Sequence, residues 1–249
     1  VAALVELVFD VEAIGKTFFR EYQEQYKKFK ARVTADNQGK TWVYDDGKLS
    51  RYVQLLLGRV MFLHFIEKKG WLNNDRNFIR NLFAPFHRGE QSEFYQRALS
   101  PVFFEALNQS GDVKHINGTD YAIRFLNGGL FEARIEFAEN DPLSAPQVVD
   151  ELFTGLFAML GRYNFTVDES TPLDQTVGID PEMLGKVFEN LLEAEARHAS
   201  GTYYTPRSIV EYMCRETLFR HLHGQTQIAR ETFNALFDCA LEGRKPQIE

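Results

Sequence analysis

Apolar side chains recur at steps of three and four from Val11 onward: Val11, Ile14, Phe18, Tyr22, Tyr26 and Phe29 form one series, with Lys16, Arg20, Glu24, Lys27 and Lys28 outside it. Such steps stack side chains on one stripe of a helix, so a long amphipathic helix is predicted. Between Val33 and Ser50 the pattern breaks at Asp36-Asn37-Gln38-Gly39 and Asp45-Asp46-Gly47. These residues tolerate positive φ or bond their own backbone, which predicts a loop, with a short strand at Trp42 to Tyr44. Tyr52 to Ile66 is almost continuously apolar. It is too long for an ordinary strand and predicts a central buried helix. Lys68-Lys69-Gly70 then supplies cations at the negative end of the dipole and a residue for the left-handed cap.

Shorter helical patterns follow at Asp75 to Phe83, Ser92 to Leu99, Pro101 to Asn108 and Val148 to Leu160. From Ser110 to Phe137 the periodicity weakens, and Gly111, Asn117-Gly118 and Asn127-Gly128-Gly129 separate short segments such as Tyr121 to Leu126 that can pair as a hairpin. The predicted fold is mainly α, an irregular multi-helix domain with a small hairpin or irregular insert around 110–137. No repeat of solenoid period occurs.

Two helix starts stand out near the C-terminus. Asp180 is placed to cap, Pro181 takes the first position, and Met183, Leu184, Val187, Phe188, Leu191 and Leu192 form a buried face. No pair of glycines follows Asp180-Pro181 at the spacing of a cofactor loop, so residue chemistry makes this a packing helix. Thr205 and Pro206 open another helix as cap and first residue, with Ile209, Val210 and Met213 on its inner side. Gly201, Tyr203 and Tyr204 precede it. Free N–H groups, a hydroxyl and aromatic faces together suit a small ligand with a carboxylate at one end. An ordinary surface helix start has the same ingredients, and residue chemistry alone favours that reading.

Composition narrows the picture. A chain of 249 residues with 44% hydrophobic content can bury a real core, and 22 Phe point to an interior of phenyl rings. Cys214 and Cys239 form no C-x-x-C pattern, which argues against a disulfide scaffold and fits a reducing cytoplasm. No run approaches the roughly 20 apolar residues of a membrane-spanning helix, so no membrane partner is expected. Val1 to Phe9 lacks a basic leader and an initiator Met, and reads as an internal boundary of a longer polypeptide. The net charge of -7 opposes binding of the bare chain to phosphate backbones.

The string G-T-Y-Y-T-P-R-S-I-V-E-Y-M (201–213) resembles the segment leading into the methyltransferase domain of adenine-N6 DNA methyltransferases of bacterial restriction-modification systems. Four further segments resemble the same family in the same order: V-F-D-V-E-A-I-G-K-T-F-F-R-E-Y (8–22), L-G-R-V-M-F-L-H-F-I-E-K-K-G-W-L (57–72), F-L-N-G-G-L-F-E (125–132) and V-G-I-D-P-E-M-L-G-K-V-F-E-N-L-L-E (177–193). The likeness is nearest to large single-chain enzymes that join a nuclease, a helical connector and a methyltransferase, and to phage-defence methylases of similar architecture.

The resemblance implies a helical connector over 1–200 and the lead-in of a truncated methyltransferase domain over 201–249, packed between an upstream nuclease and a downstream catalytic domain. It implies S-adenosylmethionine as cofactor, with Gly201, Tyr203, Tyr204, Thr205 and Pro206 lining its pocket and Thr205 as the direct polar contact. The implied partner is double-stranded DNA, reached through the full-length protein. The family's Asn-Pro-Pro-Tyr or Asp-Pro-Pro-Tyr segment, which holds the flipped adenine, does not occur in these residues. The chain alone is therefore expected to be inactive, with no catalytic residue of its own. Arg197 and Arg207 are candidates for phosphate contacts. Glu67-Lys68-Lys69 supplies half of a nuclease metal motif without its Pro-Asp partner, and His221 and His223 are two apart, a poor zinc spacing, so no metal site is expected. A helical protein-interaction scaffold without a cofactor is the alternative.

Overall fold

A computed structural model describes residues 2–86, 93–108, 110–111, 113–116, 118–126, 129–141, 144–163, 165, 185, 205 and 207–241, with side chains from Gly15 onward and, in the last two helices, from 209 to 239. The fold is mainly α with one small antiparallel hairpin, and the chain divides into two compact units, 1–193 and 194–249. No described helix is long and apolar enough to cross a membrane.

In the first unit α1 (Ala2–Asp36) carries the predicted stripe. Phe18, Tyr22, Phe29 and Val33 are buried along it, and Tyr26 is half-buried. Val11 and Ile14 share the helix, but their side chains lie outside the described set. At the end of α1 the Asn37 side chain replaces a stretch of backbone: it accepts from the Gln147 N–H and donates to the Gln147 carbonyl, 2.8 Å each, joining positions 110 apart in sequence. Thr41–Tyr44 is a 3-10 turn, not the expected strand. It tucks Trp42 against Tyr52 and Phe137, so burial of one indole decides the local backbone.

The predicted central helix is α2 (Asp46–Lys68), started by the Asp45 side chain accepting from the Lys48 N–H. Its end is specified in full. Gly70 turns left-handed at φ 72°, its N–H donates to the Glu67 carbonyl at 2.8 Å, and the Trp71 N–H donates to the Ile66 carbonyl at 3.1 Å. These two bonds satisfy carbonyls that the helix would otherwise leave open.

After α3 (Phe78–Phe83), residues 93–106 wind as helix, but Tyr95–Leu99 and Val102–Ala106 take wide turns with i→i+5 bonds. The helices expected at Ser92–Leu99 and Pro101–Asn108 thus exist in a different winding. Buried Tyr95, Leu99, Val102 and Phe103 hold it open against its poorer hydrogen-bond geometry. β1 (Val113–Ile116) pairs antiparallel with β2 (Thr119–Ala122), inside the predicted insert. α4 (Asp150–Leu160) closes the unit against α1. Phe29, Phe83, Phe94, Phe153 and Phe157 meet there edge to face, for example Phe83 with Phe94 at 4.7 Å between centroids, which is the phenyl interior that composition predicts.

In the second unit α5 (Arg207–Thr226) and α6 (Arg230–Leu241) form a helical hairpin. The expected inner placement of Ile209, Val210 and Met213 is wrong: all three are exposed, as is Tyr212. The side of α5 that meets α6 lies further along, at Arg215, Glu216 and Phe219, where ion pairs and rings decide the packing. Of the helix expected from Pro181, only Gly185 is described, and it is helical and buried.

Candidate functional site

Helix α5 begins at Arg207, directly behind the Thr205-Pro206 pair expected to open it. Thr205 is exposed. Gly201, Tyr203, Tyr204, Pro206 and Arg197 lie outside the described residues. Arg207 contributes the first turn of α5, and its side chain also lies outside the described set. The structure therefore fixes the helix behind the candidate cofactor wall and the exposure of Thr205.

The α5–α6 hairpin that carries this opening is braced by two arginines. Arg215 reaches Asp238 at 2.6 Å and lies over the Phe237 ring at 4.6 Å. Arg230 forks onto both carboxylate oxygens of Glu216 and stacks 3.8 Å above Phe219. A planar guanidinium satisfies a carboxylate and covers a ring at once, which an ammonium does less well. The Arg230 contact lowers the pKa of Glu216, and the Asp238 contact raises that of Arg215. His223 stacks on Phe219, and its Nδ1 lies 2.8 Å from the Ile228 carbonyl, so this histidine fastens the inter-helix turn. His221 is exposed. Both cysteines are free.

Two of the segments that carry the family resemblance meet in the interior of the first unit. Arg59, fully buried on α2, donates from Nε to the Leu130 carbonyl at 2.7 Å, from Nη2 to the Glu132 carbonyl at 2.7 Å and from Nη1 to Glu139 at 2.6 Å. The Phe103 and Phe104 rings flank it at 5.6 and 4.9 Å. Glu139 also accepts from the Arg134 N–H at 2.8 Å and from the Tyr95 hydroxyl. Arg59 thus clamps the backbone at Leu130 and Glu132, and its charge is committed to architecture. Sequence reasoning did not single out Arg59; the available signal was one cation in the middle of an apolar helix, which burial tolerates only with full pairing.

Glu67 is likewise structural. It pairs with His64 at 2.6 Å and Lys68 at 3.2 Å, and accepts from the Ile79 N–H at 2.9 Å. Among the described residues no group of three or more His, Cys, Asp or Glu side chains is placed to hold a metal ion.

Comparison with known proteins finds no matching family model and no matching solved structure. The chain is 28% identical over 217 residues to a Methanocaldococcus jannaschii protein named, provisionally, a type II restriction enzyme and methyltransferase. The alignment covers 80% of this chain but 18% of that protein, so the chain spans less than a fifth of its relative's length and is similar to one part of a restriction-modification polypeptide.

Proposed function

We propose that the chain is the helical connector, 1–200, and the opening of the methyltransferase domain, 201–249, of a longer restriction-modification enzyme that methylates adenine N6 in double-stranded DNA. The observation that carries this reading is the collinear run of five family-like segments from residue 8 to residue 213. The similarity to the Methanocaldococcus jannaschii protein supports it. An upstream nuclease and a downstream catalytic domain are its neighbours within the polypeptide.

S-adenosylmethionine, when bound, supplies the electrophilic methyl group. This chain binds and orients its amino-acid end. Gly201, Tyr203, Tyr204, Thr205 and Pro206 make one wall of the pocket, with the Thr205 hydroxyl as the polar contact. The fit rests on Thr205 standing exposed ahead of α5, whose first N–H groups and positive dipole end attract a carboxylate. Arg197 and Arg207 reach DNA phosphates from the same end. Without the segment that holds the base, the 249 residues transfer no methyl group.

Calorimetric titration of S-adenosylmethionine into the full-length enzyme tests the site. Thr205→Ala weakens binding about tenfold, the worth of one hydrogen bond, and Thr205→Ser restores it. An unchanged Kd, accompanied only by the ~1 kcal/mol stability loss of a missing cap, rejects the contact. DNA affinity unaltered by replacing both Arg197 and Arg207 with Ala rejects the phosphate role.

The exposed Ile209, Val210, Tyr212 and Met213 favour a second reading, a protein-docking scaffold without a cofactor. Failure of S-adenosylmethionine to bind the full-length protein at all decides for it.

A further inference from the structure

Away from α5, the first unit contains a half-open pocket of about 140 Å³ lined by Ile66, Trp71, Leu72, Leu107, Phe125 and Leu126, with Arg124 the one charged residue among the described residues of its lining. Its walls come from three separate stretches of chain and are tied by main-chain bonds. The Leu126 N–H donates to the Leu107 carbonyl at 2.8 Å, the Asn73 N–H donates to the Ala122 carbonyl at 2.8 Å, and Leu72 bridges Ile123. Asn73 and Asn74 both sit in the left-handed region, at φ 53° and 51°. Asn73 is kept there by its side chain, whose Oδ1 accepts from the Ala122 N–H at 2.9 Å. Asparagine is among the few non-glycine residues that tolerate this region, and the bonds to Ala122 fix Asn73 in it. The loop so fixed leaves Trp71 51% and Phe125 42% exposed beside the pocket. Arg124 is also exposed, and no hydrogen bond or ion pair with a described residue engages it.

We propose that this pocket docks an acidic polypeptide segment through one phenylalanine- or leucine-sized side chain, with Arg124 pairing a carboxylate beside that anchor. Size supports the anchor: a cavity of roughly 150 Å³ lined by aliphatic and aromatic groups accommodates one benzene ring. The lining decides between a side chain and a nucleobase. A base in this apolar cup leaves its hydrogen-bonding edge unpaired, whereas a phenyl ring loses nothing. Trp, Phe and Arg around a preformed pocket are the composition from which tight protein contacts are built, and the bonded walls reduce the ordering cost of binding. The inference goes beyond methyl transfer and stands whether or not that reading holds.

The test uses the 249-residue chain and a blocked Gly-Asp-Phe-Asp-Gly peptide, with Trp71 as reporter because the other tryptophan, Trp42, is buried. The peptide changes the emission of Trp71 saturably and slows amide exchange at 66–72, 107 and 124–126. Replacing its Phe with Gly abolishes the change, and replacing its Asp residues with Lys weakens binding about tenfold or more, as for loss of a charged hydrogen bond. Arg124→Glu and Phe125→Ala, both at exposed positions that leave the core intact, weaken binding by a similar factor. No saturable change at millimolar peptide overturns the proposal. So does equal binding of the lysine peptide, or displacement of the acidic peptide by a thymidine oligonucleotide.

Discussion

Arg59 and Glu139 form a fully buried ion pair in the first unit. Removing one member of a fully buried ion pair leaves the other charge unpaired, a loss of about 3–5 kcal/mol. Glu139→Ala should show this loss in urea unfolding, and Arg59→Lys should recover only part of the wild-type stability, because a lysine cannot reach two carbonyls and a carboxylate together. The Glu21 carboxyl gives a pH-dependent counterpart nearer the surface. Hydrogen bonds from Arg162 and Tyr163 hold its pKa below the usual 4.5 against the opposing effect of burial. A depressed folded-state pKa adds stability that is present above the unfolded value and is lost as pH falls through the folded one. Wild type should therefore lose stability below about pH 4.5 more steeply than Glu21→Gln in acid titrations followed by circular dichroism. The same contact works oppositely on Tyr163, which burial and Glu21 push up to about 12. Its contribution is complete below pH 10 and disappears between 10 and 12. Neither partner of Glu21 was legible from sequence, since Arg162 and Tyr163 lie 141 and 142 residues away and no local pattern encodes such a pairing.

Among the elements, α1, α2 and α4 were readable because their buried positions follow helical spacing or form a long apolar run. The end of α2 was readable too, and it supports a direct test. Gly70→Ala places a Cβ in a left-handed conformation, 3.2 Å from the Asn74 side chain. It should cost about 1–2 kcal/mol in chemical denaturation. Gly224, in the last turn of α5 with open space around it, predicts the reverse: alanine there should stabilise by roughly 0.5–1 kcal/mol. The wide turns at Tyr95–Leu99 and Val102–Ala106 were not readable, because steps of three and four look the same whether the backbone bonds i→i+4 or i→i+5. At Thr41–Tyr44 three bulky residues suggest a strand, and only the distant Phe137 reveals why the turn tightens. The start of α5 was legible from Thr205 and Pro206. Its inner face was not, because local apolar spacing does not reveal that Arg215 and Arg230 govern the pairing with α6.

At the scale of the molecule the two units differ in what holds them. The first is organised around Arg59 and a continuous phenyl-rich core, while in the α5–α6 hairpin Phe233 is the one buried apolar side chain among the described residues. Amide exchange should separate them, with protection over 46–68 near the global stability and over 207–241 well below it; equal protection in both would contradict this account. The proposed cofactor wall, 201–206, rests on likeness to a family alone. Tyrosine, threonine and proline at a helix start carry no chemistry that sets them apart from an ordinary cap.

The Arg59–Glu139 pair also constrains the order of events during synthesis. The arginine leaves the ribosome 80 residues before its carboxylate, a delay on the order of 4–16 s at about 5–20 residues per second. Throughout that interval the helix destined for the centre of the core carries a cation whose anionic partner has not been made. Burial of α2 must wait for translation to pass Glu139, so a ribosome arrested between the two codons exposes a greasy, charged segment to chaperones and proteases.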